Sequence, residues 1–259
     1  MDKSEARQVI RRAEILSARG LRTEIPLFAV RLDEIPVDAG GENHELISIA
    51  KAKERGVLSN KGEPVVLARG LGVPYRTNHL RLLKRGRSAR LRLLGETFSF
   101  LNAERRWQAK NGQEHAAAEF SLQRPHDYLA WFAKTLGKNL ALLHSLGYIH
   151  SNLDPLVENK PPSNVCLDCR IIDLDTLKRV NPDRLRRTQK EADGIDWEVM
   201  TAGVSAGKLA NDVVSLLKLE RTGHPKQFRG WGNYYSEMLK ESYRAAQLQI
   251  EQQIAIQNQ

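Results

Sequence analysis

The stretch Gly147-Tyr148-Ile149-His150-Ser151-Asn152-Leu153-Asp154-Pro155, with Asn164-Val165-Cys166-Leu167-Asp168-Cys169-Arg170-Ile171-Ile172-Asp173-Leu174-Asp175 after it, decides how this chain is read. It follows the clearest helical pattern in the sequence. Between Asp127 and Leu146, the residues Tyr128, Leu129, Phe132, Leu136, Leu140 and Leu143 recur at helical spacing, and Gly147 ends the run. Val165-Cys166-Leu167 and Arg170-Ile171-Ile172 then read as the strands of a hairpin, with Asp168-Cys169 at its turn. Such a hairpin brings Asn164 and Asp173 to the same end. Either residue alone is ordinary at a strand end, where short polar side chains bond the local backbone.

The order of these parts resembles the catalytic loop and metal-binding strand of the protein-kinase-like superfamily. Within it, the similarity is to the bacterial kinases with a His-Gly-Asp-type loop and to the selenoprotein O type, which transfers AMP. The resemblance implies an α+β fold with a mostly helical C-lobe and Mg²⁺ and ATP as ligands. Asn164 and Asp173 would hold the metal, and His150 would complete the nucleotide-binding set as a loop histidine that holds backbone. The place of the catalytic base carries Asn152, whose amide does not accept a proton at neutral pH. Asp154, two residues on, is the nearest carboxylate to substitute for it. From Asn152 to Asn164 the spacing is twelve where the superfamily has five, so Leu156 to Pro162 reads as an inserted loop. The selenoprotein O type also lacks the usual Asp at this place.

Upstream, the same alignment gives a reduced N-lobe. Ser4–Arg19 reads as a helix with Ser4 as N-cap and Gly20 at its left-handed end, in the place of the regulatory helix, with Glu5 or Glu14 as its pairing acid. Ile25–Leu32 and Pro64–Ala68 are the expected strands, Asp33–Asn43 a loop, His44–Arg55 a second helix and Gly70–Pro74 the hinge. The glycine-rich loop and the Lys-bearing strand would precede Met1, so a fragment, a misplaced start or a degenerate member is expected. Leu80–Trp107 reads as mostly helical, and helical signals return at Ala210–Glu220 and from Tyr235 on. The division is therefore 1–74 (partial N-lobe), 75–245 (helical C-lobe) and 246–259 (a Gln-rich tail).

The chain has 259 residues and a net charge of +9. Eight basic residues (Arg69, Arg76, Arg81, Lys84, Arg85, Arg87, Arg90 and Arg92) fall in one window without an acid. Such a block is either a solvated helix face or a surface for phosphates, RNA, an acidic membrane surface or an acidic protein. The two cysteines, Cys166 and Cys169, have no second pair to complete a zinc site and read as flanks of a tight turn. Asp173-Leu174-Asp175 also matches a short glycosyltransferase metal pattern, which the upstream helix does not suit. Trp131, Trp197 and Trp231 read as packed anchors. With no apolar run long enough for a membrane helix and no leader-like segment, a cytoplasmic location is expected. Two functions are carried forward. One is a kinase-fold transferase holding Mg²⁺-ATP. The other is a pseudokinase that binds a partner through its basic stretch.

Overall fold

The computed structural model describes residues 2–38, 44–59, 63–80, 86–112, 118–150, 153, 164–219 and 225–257. The architecture is α+β, dominated by helices, with small antiparallel sheets. It divides into two compact units, Met1–Leu71 and Gly72–Gln259, a boundary slightly ahead of the edge expected at 74. Among the described residues, no helix is long and apolar enough to cross a membrane.

In the smaller unit, α1 (Lys3–Ala18) begins two residues earlier than expected, because Asp2 rather than Ser4 caps it. The Asp2 carboxylate accepts from the Ser4 N–H, and the Glu5 side chain accepts from the Asp2 N–H, closing a capping box. Glu5 is thus committed to its own helix, and Glu14 is exposed. Ala6, Val9, Ala13 and Leu16 form the buried stripe. Gly20, at φ +88°, takes the left-handed position that ends the helix. Strand β1 (Ile25–Arg31) pairs antiparallel with β4 (Val65–Gly70), from Ile25 opposite Gly70 to Arg31 opposite Val65.

Between them lies an element the sequence reading got wrong. The expected loop at 33–43 contains β2 (Glu34–Asp38), and the expected helix from His44 opens as β3 (His44–Ser48), paired with β2. Ile35 and Val37 alternate with polar residues, which is strand periodicity. Pro36 is tolerated because both strands of a two-stranded ribbon are edges. Helix α2 (Ile49–Glu54) starts only after Ser48, whose hydroxyl accepts from the Lys51 N–H.

In the larger unit, α3 (Arg87–Lys110) and α4 (Pro125–Ser145) precede β5 (Tyr148–His150). The hairpin and a short 3-10 turn lead to β6 (Leu177–Arg179), which pairs antiparallel with β5. Two long helices, α5 (Gln189–Leu216) and α6 (Trp231–Gln257), complete the unit. Helix α6 runs through the Gln-rich segment to Gln257, so that segment is the end of a helix. The apolar stripe of α4 is the core: Tyr128, Phe132, Leu136, Leu140 and Leu143 are buried. Helix α6 crosses α4 at Gly137, where a Cβ would stand 2.5 Å from the Leu239 carbonyl oxygen. It crosses α5 at Gly207, where a Cβ would stand 2.6 Å from the Gly232 carbonyl oxygen. Both approaches bring backbone against backbone, which only glycine allows. Trp131 and Trp231 are half-buried, but Trp197 is 58% exposed and anchors nothing, contrary to the expectation.

Candidate functional site

The hairpin forms where the sequence places it. Val165 bridges Ile171, the Cys166 N–H donates to the Arg170 carbonyl at 2.9 Å, and the Cys169 N–H closes the turn on the Cys166 carbonyl at 2.8 Å. A third extended segment lies alongside. The Leu167 N–H donates to the Tyr75 carbonyl at 2.7 Å, the Thr77 N–H donates to the Val165 carbonyl at 3.0 Å, and Arg76 bridges Cys166. The turn is docked on α4. Tyr128 Oη donates to the Leu167 carbonyl at 2.8 Å and Asn139 Nδ2 to the Cys169 carbonyl at 3.1 Å. Burial pushes the Tyr128 phenol well above its ordinary pKa, so it remains a donor.

At the open end of the hairpin, Asn164 and Asp173 come together on one nitrogen. Arg76 Nη1 donates to Asn164 Oδ1 at 3.0 Å and stands 3.4 Å from Asp173 Oδ2. The Asn164 backbone is held from both sides: its N–H donates to the Leu153 carbonyl at 2.9 Å, and its carbonyl accepts from Ile172 at 3.0 Å. Asp173 is left-handed, with φ 60° and ψ 52°. That conformation is uncommon outside glycine, and Asp tolerates it better than most residues.

The ring of His150 holds backbone. Its Nε2 lies 2.7 Å from the Ile172 carbonyl oxygen, which can only accept, so Nε2 carries the proton. The His150 N–H donates to Glu198 Oε1 at 2.7 Å. Glu198 Oε2 sits 2.6 Å from His144 Nε2, and His144 Nδ1 lies 2.8 Å from Tyr243 Oη. Burial raises the Tyr243 pKa, so its hydroxyl stays protonated. Three helices therefore share one buried polar chain, and its end fixes the last residue of β5.

Asp168 is not a passive turn residue. Its carboxylate is fully buried and accepts from the Val73 N–H at 3.1 Å and the Arg170 N–H at 3.3 Å. Arg170 Nε stands 2.9 Å from Asp168 Oδ2, a charge contact without hydrogen-bond alignment. Burial, and then the Asp168 charge, push the neighbouring Cys166 thiol up to about 12. Held protonated, that thiol is a weak nucleophile at neutral pH. Both cysteines are buried thiols outside any disulfide, and Cys169 Sγ donates to the Phe132 carbonyl at 3.4 Å. No cluster of three or more His, Cys, Asp or Glu side chains suited to a metal occurs among the described residues.

Asn152 and Asp154, the candidate catalytic pair, lie outside the described residues, as do Arg81, Lys84 and Arg85 of the basic block. The other arginines of that block make contacts within their own unit. Arg69 pairs with the buried Glu24 at 3.1 Å, Arg76 holds the Asn164–Asp173 pair, and Arg87 Nε donates to the Leu216 carbonyl at 3.1 Å. Arg90 Nη1 reaches the Leu80 carbonyl at 3.5 Å, and Arg92 stands 3.7 Å from Glu96.

Sequence reasoning missed Arg76, Asp168 and Glu198. Only Glu198 carried a usable signal, since it lies three residues after Ile195 and four before Ala202, on the buried stripe of α5. The chain matches no protein-family model, no curated protein and no solved structure significantly.

Proposed function

We propose that the larger unit is a protein-kinase-like catalytic lobe that holds a Mg²⁺-nucleoside triphosphate through Asn164 and Asp173. The observation that carries this reading is the meeting of the two side-chain oxygens on one cationic nitrogen, at 3.0 and 3.4 Å. Hard oxygens gathered round a positive charge are the donor set Mg²⁺ takes, usually one or two per protein site beside the phosphates. The order of elements supports the reading as well: α4, a strand ending on His150, a hairpin from Asn164 to Asp173, then β6 and α5.

Asn164 and Asp173 would hold the Mg²⁺, which would supply positive charge against the phosphates. The chain's own residues do the positioning. Asn164 is fixed through its backbone at both neighbours. Asp173 follows Ile172, whose carbonyl is tied to His150, and His150 is tied to Glu198. The amide of Asn152 cannot take the acceptor's proton, which leaves that task to Asp154. Nucleotide binding with slow transfer is therefore the expected behaviour, whether the group moved is phosphate or AMP.

The test is thermal melting with ATP, with and without Mg²⁺, on the wild type, Asn164→Ala and Asp173→Ala. A Mg²⁺-dependent rise in Tm is expected, worth about 2.7 kcal/mol at a hundredfold excess over Kd, and both substitutions remove it. A rise that survives both overturns the assignment of the pair. The other reading, a module that binds RNA or an acidic partner through Arg69–Arg92, has Asn152 in its favour. Against it, Arg69 and Arg76 are largely buried and each gives a donor to a partner within its own unit.

A further inference from the structure

The cation at the Asn164–Asp173 pair belongs to the protein. We infer that Arg76 is a built-in competitor for the metal: Mg²⁺ enters only when the Arg76 guanidinium swings off the pair, and the nucleotide's phosphates draw it off. This rests on the nucleotide reading above and adds a regulation to the same site.

The geometry sets the two cations against the same pair of oxygens. Arg76 Nη1 lies 3.0 Å from Asn164 Oδ1 and 3.4 Å from Asp173 Oδ2. Mg²⁺ takes its oxygens at about 2.0–2.1 Å, and a cationic nitrogen of the protein already lies against both of these. A divalent ion and a guanidinium within contact distance also repel each other strongly where water is partly excluded.

The placement of Arg76 is specified by the fold. Its backbone bridges Cys166, its N–H donates to His79 Nδ1 at 3.2 Å, and both neighbouring residues bond the first hairpin strand. The base of this side chain cannot drift. Its end can move, since the Arg76 side chain is 25% exposed and that of Asp173 30% exposed. A guanidinium has a second anionic partner of high complementarity in a phosphate group, which it grips through paired N–H donors. A triphosphate arriving at the pair offers that partner at the moment the metal needs the carboxylate. Metal and nucleotide then bind with positive coupling, and each binds weakly alone.

The experiment is a Mn²⁺ titration of the full chain followed by electron paramagnetic resonance, with and without ATP. The proteins are the wild type, Arg76→Gln, Arg76→Lys and Asp173→Ala, each checked for an unchanged melting transition without ligand. Without ATP, Arg76→Gln is expected to bind Mn²⁺ about tenfold more tightly than wild type, equivalent to about 1.4 kcal/mol. Arg76→Lys keeps a charge at the pair and stays near wild type, and Asp173→Ala loses the site. ATP is expected to tighten Mn²⁺ strongly in the wild type and only slightly in Arg76→Gln. Tight Mn²⁺ binding lost in Asp173→Ala but unchanged or weakened in Arg76→Gln overturns the competitor and leaves the metal pair standing. Failure of every protein, Arg76→Gln included, to bind Mn²⁺ or ATP overturns the nucleotide reading and the competitor together.

Discussion

Replacing Glu198 by alanine should be among the most damaging single changes in the larger unit. The side chain is 4% exposed and accepts two hydrogen bonds, at 2.7 Å from the His150 N–H and at 2.6 Å from His144 Nε2. Alanine leaves both donors buried without a partner, at about 1–3 kcal/mol each. It also opens a cavity the size of a carboxymethyl group, so a total of about 4 kcal/mol is expected. For a unit of this size that is a fall in Tm of roughly 8–16 °C. Glu198→Gln keeps the volume and one acceptor oxygen. His144 can meet the new amide group by moving its proton to Nδ1 and donating to Tyr243, so a loss of about 1–2 kcal/mol is expected. The assay is a thermal melt of the three proteins followed by circular dichroism, with amide hydrogen exchange read at His150. A Glu198→Ala protein that melts within about 2 °C of wild type, with the His150 amide still protected, would refute the reasoning.

Two further outcomes are expected. Gly72→Ala should destabilise the larger unit by about 2 kcal/mol or more, because the new Cβ would lie 2.7 Å from the Phe100 ring and closer still to Asp168 Oδ2. Urea denaturation measures this, and Gly95→Ala, which meets open space inside α3, is the control and should stabilise by roughly 0.5–1 kcal/mol. Cys166 should resist alkylation by iodoacetamide at pH 8 in the native protein and react within minutes in urea. With its thiol raised to about 12, the thiolate fraction at pH 8 is about four powers of ten below unity and grows only as pH approaches that value. Native-state labelling at pH 8 at the rate of an unfolded thiol would sink the point.

What could be read from the sequence followed the strength of periodic signals. The apolar stripe of α4 and the paired strands around Cys166–Cys169 are local patterns, and both elements lie where those patterns put them. The β2–β3 ribbon was missed because Pro36 and a run of polar residues obscured a five-residue alternation, and because Ser48 was not taken as a cap. Arg76 was visible only as one member of a basic block. Its task depends on a pairing across 88 positions of sequence, from Arg76 to Asn164, which no local pattern encodes. Asp168 was hidden for the same reason: its partner, the Val73 N–H, lies 95 positions away. Charge runs say where positive residues are numerous, and only the fold says which of them are already engaged.

The 2.9 Å bond from the Asn164 N–H to the Leu153 carbonyl has a consequence for engineering and for evolution. It ties Leu153 directly to Asn164, so the separation of these two residues is set by their own bond and not by the number of residues between them. Doubling a flexible loop costs only about 0.6 kcal/mol. Insertions there can sample new sequences while Asn164 keeps its place. A chain tied this way can vary the sequence between 153 and 164 while the hairpin that follows keeps its own hydrogen bonds.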